Sequence, residues 1–201
     1  MPRVDLAAPM ASLVAELKRL PGIGAKSAQR LAFHLLNVDR AKAEGLARAI
    51  LSMRERIRLC RRCNNIADGD LCSICSDPRR DHSLVCVLEQ PNNIVLVERT
   101  RSYNGVYHIL HGALAPSRNI YPKDLMIKSL LERMKEVTLR EIILATSPTT
   151  EGQATAAYLK GTLKPLDVKV SRIALGIPIG TDLEFVDEAT MSESIAGRRE
   201  L

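Results

Sequence analysis

Aromatic residues are scarce in this chain, with no tryptophan, two phenylalanines and four tyrosines among 201 residues. Six scattered rings cannot line a platform on which single-stranded bases stack, so any nucleic-acid contact has to run through charge and backbone. Long apolar runs are missing as well. None approaches the ~18 residues of a membrane-spanning helix. Leu6–Ala15 faintly looks like a signal-peptide core, but Asp5 and Pro9 interrupt it and Glu16 and Lys18 continue a helical pattern. A cytoplasmic protein with no membrane partner is expected. Internal repeats and low-complexity segments are absent too. A hydrophobic content of 46% still permits a sizeable core, in one large or two small domains.

Cysteine is also rare, at five residues, yet four of them are concentrated in Cys60-Arg61-Arg62-Cys63 and, eight residues on, Cys72-Ser73-Ile74-Cys75. Two Cys-x-x-Cys pairs this close offer four thiolates, the complete shell of one tetrahedral structural zinc per chain. The insert, with Asp68-Gly69-Asp70 as its turn, is too short for a core, so metal would supply most of its folding free energy. A filled shell leaves no open position for catalysis. The alternative is a pair of disulfides or a redox Cys-x-x-Cys, which suits a secreted protein better than this one. His82 would be a spare ligand. Cys86, in an apolar run, reads as a small buried hydrophobe.

Negative charge is scarce at one end. Residues 1–62 hold 13 Lys/Arg and 5 Asp/Glu, residues 63–82 hold 2 and 4, and residues 83–201 hold 14 of each. The whole excess of the net +6 therefore precedes the cysteines. A basic head on a neutral body suggests a polyanion-binding module joined to something with another task.

In that head, Leu13, Val14, Leu17 and Leu20 recur at helical spacing and stop at Pro21-Gly22-Ile23-Gly24. A second helix follows through Ala28, Leu31, Ala32 and Leu35, with Lys26, Arg30 and His34 on another face. A third starts at Asp39 and runs to about Leu59, buried through Leu46, Ile50 and Ile57. The pattern Leu20-Pro21-Gly22-Ile23-Gly24-x-x-x-Ala28 looks like a helix-hairpin-helix, which binds DNA without reading sequence. Gly22 and Gly24 would bring bare amides to a phosphate at a helix N-terminus, and Lys26 and Arg30 would hold the same strand. The alternative is a turn between two core helices with both cations on an ordinary solvated face. Gly24-Ala25-Lys26-Ser27 mimics the end of a Walker A loop but lacks the glycine before the lysine and follows a helix, which argues against ATP.

Beyond residue 83, strand patterns (Leu84–Leu88, Val106–Leu110, Glu141–Ala145, Val168–Ala174) alternate with helical ones (Asn92–Arg101, Lys123–Lys135, Glu151–Leu163). Thr150-x-x-Gln153 offers a capping box. This order predicts an α/β domain with a mainly parallel sheet, whose ligands gather at the carboxyl ends of strands, where Glu89 and Thr146 to Glu151 fall. His108 and His111 read as structural, and Leu183–Asp187 as a strand used for assembly.

The zinc pairs after a helix-hairpin-helix, then Cys86-Val87-Leu88-Glu89, Ile142-Ile143-Leu144-Ala145-Thr146 and Thr150-Glu151-Gly152-Gln153-Ala154-Thr155-Ala156, resemble the RecR family of bacterial recombination mediators. Arg172-Ile173-Ala174-x-Gly176-Ile177-Pro178-Ile179-Gly180 and the tail Ala196-Gly197-Arg198-Arg199 extend the resemblance over nearly the whole chain. It implies a multi-part α/β protein: a helix-hairpin-helix domain over 1–56, a four-cysteine zinc ribbon over 57–82, a Rossmann-like Toprim domain over 83–174 and an assembly segment over 175–201. It implies a ring-like homotetramer able to surround DNA, and work with RecO and RecF to load RecA onto SSB-coated single strands in recombinational repair, near the bacterial nucleoid. The chain departs from the family pattern at Gln153, where a second carboxylate is usual, at Gly180-Thr181 in place of Gly-Gly, and at Tyr121-Pro122 in place of Gly-Pro. The first departure bears on any acidic partner contact.

Toprim enzymes hold Mg²⁺ with a strand-end Glu and an Asp-x-Asp. Glu89 matches the Glu, but Thr146-Ser147-Pro148 stands where the Asp-x-Asp belongs. The expectation is a DNA-binding mediator that catalyses nothing, with Glu89 and Glu151 docking a partner or weakly holding Mg²⁺. The rival is a Mg²⁺-dependent Toprim nuclease or phosphotransferase. A third reading is an interaction scaffold whose DNA affinity is incidental.

Overall fold

The structure, a computed structural model, describes residues 6–200 and divides into two units, one ending at Arg56 and one starting at Ile57. The first is helical. Pro9 opens α1 (Ala8–Lys18), where a missing N–H costs nothing. Gly22, at φ +79°, turns the chain in the left-handed region that favours glycine. Then α2 (Ala25–Asn37) starts from Gly24, and α3 (Arg40–Arg56) follows after two residues. Ala28 and Ala32 are the buried residues of α2, and their small side chains let α1 and α2 pack closely.

The third helix departs from the expectation. It ends at Arg56, and none of its residues is buried: Leu46 is 48% and Ile50 53% exposed, while Ile57, also exposed, lies beyond it. Three short helices with a single phenylalanine between them do not close a core. Instead Leu13, Leu17, Phe33, Leu36, Leu46 and Ile50 line an apolar cleft of about 800 Å³.

In the second unit, β1 (Arg58–Leu59) and β2 (Ile66–Ala67) pair antiparallel around the first cysteine pair. The larger sheet contains β3 (Asp81–Leu88), β4 (Gly105–Ile109), β5 (Glu141–Leu144) and β6 (Lys169–Arg172), in the order β4-β3-β5-β6 and parallel throughout. Its crossovers carry α4 (Asn93–Thr100), α5 (Ile127–Glu136) and α6 (Thr150–Leu163). The four predicted strands and three helices are all present. Val85, Val87, Ile142, Leu130 and Leu159 are buried between sheet and helices, each contributing about 2 kcal/mol.

Two local expectations fail. The cap of α6 is Thr149, whose side chain accepts from the Gly152 amide, while Gln153 donates to the Pro148 carbonyl. Starting the helix one residue earlier puts Thr150 inside it. Leu183–Asp187 is not a strand either. Leu183–Phe185 forms a 3-10 turn and Asp187 caps α7 (Glu188–Ala196) through the Thr190 amide, because its carboxylate finds that orphan donor locally. Among the described residues no helix is long and apolar enough to cross a membrane.

Candidate functional site

At the hairpin, Gly22, Gly24, Lys26 and Arg30 are all exposed. Gly24 occupies the cap position of α2 but has no side chain to bond the first-turn amides, which therefore stay available to an outside acceptor. A Cβ at either glycine would meet nothing within 4 Å, so the turn is open to a ligand's approach. Lys26 and Arg30, four residues apart, lie on one side of α2 opposite buried Ala28 and Ala32. Arg19, Arg40, Lys42 and Arg48 are paired to Glu16, Asp39 or Glu44. Among the described residues neither Lys26 nor Arg30 has an ion pair. Their charge is uncompensated beside a helix N-terminus, the combination that attracts phosphate.

The four cysteines converge. Cys60, Cys63, Cys72 and Cys75 are buried and free of disulfides, with all four sulfurs within 4.8 Å of one another. Sulfurs about 2.3 Å from one tetrahedral ion stand about 3.8 Å apart, and Cys63 Sγ lies 3.6 Å from Cys72 Sγ. Unbridged thiols at that distance fit zinc and not a disulfide. Backbone amides of Asn65 and Cys75 donate to the sulfurs of Cys63 and Cys72, favouring thiolate. Zinc binds thiolates, so metal binding displaces thiol protons and acid releases the ion. His82 is not a ligand, lying against Arg62 and the Asp77 carbonyl.

The knuckle is fastened to the edge strand β4 and to α5. Ile109 N donates to the Cys63 carbonyl at 2.8 Å, His111 Nε2 to the Asn64 carbonyl at 2.7 Å, and Asn64 Nδ2 to Ser129 Oγ at 2.9 Å. Asn64 sits at φ +59°, a conformation asparagine tolerates. His108 Nε2 bonds the Met126 carbonyl, and burial lowers its pKa to about 4, so the ring is neutral. Both histidines are structural. Cys86 bears out its reading as an inert core residue, because burial pushes its thiol up to about 12.

At the carboxyl end of the parallel sheet, Glu89 spends both oxygens on one residue. Oε1 accepts from Ser147 N and Oε2 from Ser147 Oγ, each at 2.8 Å. Gly152 lies against this loop so closely that a Cβ would sit 2.1 Å from the Ser147 carbonyl. We expect Gly152→Ala to lower stability by about 1–3 kcal/mol in denaturant unfolding, and an unchanged midpoint would contradict this packing. Glu151, in the first turn of α6, is half-buried and 3.7 Å from Arg118. Among the described residues the cysteines form the one group of three or more candidate metal ligands. Sequence reasoning missed Ser147, for which no motif signals a carboxylate partner. It also missed Arg133, an arginine on the buried stripe of α5.

Comparison with known proteins gives a consistent result along the chain. Family models match it as the RecR helix-hairpin-helix over residues 10–54, the RecR four-cysteine zinc finger domain over 57–77, the Toprim domain over 83–174 and the RecR C-terminal segment over 176–199. With the four gathered sulfurs, this assigns the knuckle one zinc ion. The chain is 54% identical to Recombination protein RecR of Acidobacterium capsulatum, over 97% of this chain and 98% of the relative. It is 52% identical to that of Koribacter versatilis and 50% to that of Heliobacterium modesticaldum, with the same coverage.

Proposed function

The chain belongs to the RecR family, and on that premise we propose that it is a mediator of recombinational DNA repair that grips DNA through the helix-hairpin-helix and catalyses no reaction of its own. The observation that carries this reading is the bare turn Gly22-Ile23-Gly24 at the start of α2, with Lys26 and Arg30 beside it, neither in an ion pair among the described residues. Such contacts neutralise phosphates and read no bases, so affinity is sequence-independent and falls with salt. With RecO and RecF the protein assists loading of RecA onto SSB-coated single strands. Binding titrations on duplexes of unrelated sequence, at several salt concentrations, test the grip. Equal affinities that fall with salt are expected. No binding at low ionic strength, alone or with RecO and RecF, overturns the reading.

A ring tetramer is part of the proposal, because weak contacts repeated round a ring gain avidity. It is supported by apolar surface that the single chain leaves exposed: the cleft along α1, α2 and α3, and the segment from Ile179 through Leu183 and Phe185 to Ile195. Arg172 adds to this: its buried Nε and Nη2, the two donors that together clasp a carboxylate, have no hydrogen-bond partner among the described residues. Domain limits of 1–56, 57–82, 83–174 and 175–201 complete the reading.

Glu89 and Glu151 are proposed as a partner-docking edge, with Glu89 fixing the loop that leads to half-buried Glu151. Mg²⁺ chemistry has less support, since the Glu89 oxygens already accept from Ser147. With Mg²⁺ present, we expect native chain and Glu89→Ala alike to leave plasmid DNA uncut, while Glu89→Ala loses about 1–3 kcal/mol of stability with its two hydrogen bonds. Cleavage abolished by Glu89→Ala would establish the rival nuclease.

A further inference from the structure

Arg133 is only 5% exposed, and among the described residues it has no ion pair with a carboxylate. Nη1 donates to the Tyr107 carbonyl at 2.8 Å, a neutral acceptor. Burying a cation among neutral partners is strongly disfavoured, and an anion facing it offsets that cost.

The contacts around it point to one source. Ser129 lies one turn before Arg133 on the same stripe of α5 and accepts from Asn64, the neighbour of Cys63. Tyr107, the acceptor for Arg133, is two residues before Ile109, whose amide bonds the Cys63 carbonyl. Arg133, β4 and the first cysteine pair thus close one loop of contacts. Ile74, between the second pair, packs on the cores of both knuckle and sheet. Four thiolates around one zinc ion leave a dianionic centre.

We infer that Arg133 is the counter-cation of the tetrathiolate zinc centre, so that metal occupancy of the knuckle holds together β4 and α5 of the neighbouring sheet unit as well as the knuckle itself. The zinc-tetrathiolate centre, in this arrangement, balances a charge buried outside its own ribbon. Losing it strands Arg133 in the core.

The test compares the full chain with Arg133→Met, which keeps length and removes charge, and Arg133→Lys, which keeps charge. Zinc affinity is measured by competition with a chromophoric chelator and bound zinc is counted by elemental analysis. Arg133→Met should bind zinc about 10- to 100-fold more weakly, the usual cost of losing an outer-shell partner, and Arg133→Lys should recover most of it. Native affinity in a folded Arg133→Met, or equal weakening in both variants, overturns the inference. Should Arg133→Met not fold, hydrogen exchange on the native chain decides. Chelating zinc should expose amides of 105–109 and 127–136 along with the knuckle, whereas exposure confined to 57–82 overturns the inference.

Discussion

With Lys26→Ala and Arg30→Ala combined, we expect duplex affinity to fall about 10- to 100-fold at ~0.1 M salt and the slope of log K against log salt to flatten by about 1.8. Each phosphate contact contributes ~0.9 to that slope through counterion release, and two are removed. The double variant should remain folded, because both side chains are exposed, make no ion pair among the described residues, and are replaced by the best helix former. A loss of binding at constant slope would mean that the substitutions act through shape and not through phosphate. Unchanged slope and affinity together would remove the hairpin from the interface. Assays on several sequences should weaken equally, since no base edge is read.

Cys72→Ser should release zinc and lower the stability of the Ile57–Leu201 unit by several kcal/mol. A serine hydroxyl stays protonated at neutral pH and is a poor zinc ligand, so the centre drops to three thiolates. Apparent binding free energies of structural zinc, about 10–16 kcal/mol, are folding free energy for a segment with little core of its own. Around the four sulfurs Ala67 is the one apolar residue the knuckle buries besides the cysteines themselves, among the described residues. Elemental analysis should find the bound ion lost, and thermal unfolding of the metal-free native chain should resemble that of the variant. Retention of both zinc and midpoint would exclude Cys72 as a ligand. Harm to DNA binding is expected to be indirect and smaller than for the Lys26 and Arg30 pair.

The regular elements of the sheet unit were legible because their causes are local. Alternating apolar runs gave four strands, and helical periodicity gave the crossovers. Errors arose where two local solutions compete: the cap of α6 settled on Thr149 and not Thr150, and Asp187 ended a turn by capping α7 in place of extending a strand. The apolar stripe of α3 was read correctly as a stripe and wrongly as buried. A periodic pattern says that a face avoids water, not which surface covers it.

By itself the sequence pointed to the clustered cysteines as zinc ligands, to the hairpin glycines with their flanking cations and to the parallel α/β class, each from spacing along one chain, and to the family through the resemblance of its motifs. Only the tertiary structure decided that Glu89 is held by Ser147, that Asn64 keys the knuckle onto His111 and Ser129, and that Arg133 is buried with no carboxylate partner among the described residues. These pairings join residues as much as 65 positions apart, and no periodicity or motif encodes such a distance. They depend on which strand lies at the sheet's edge and which face of a helix turns inward, which packing fixes once the whole chain has folded.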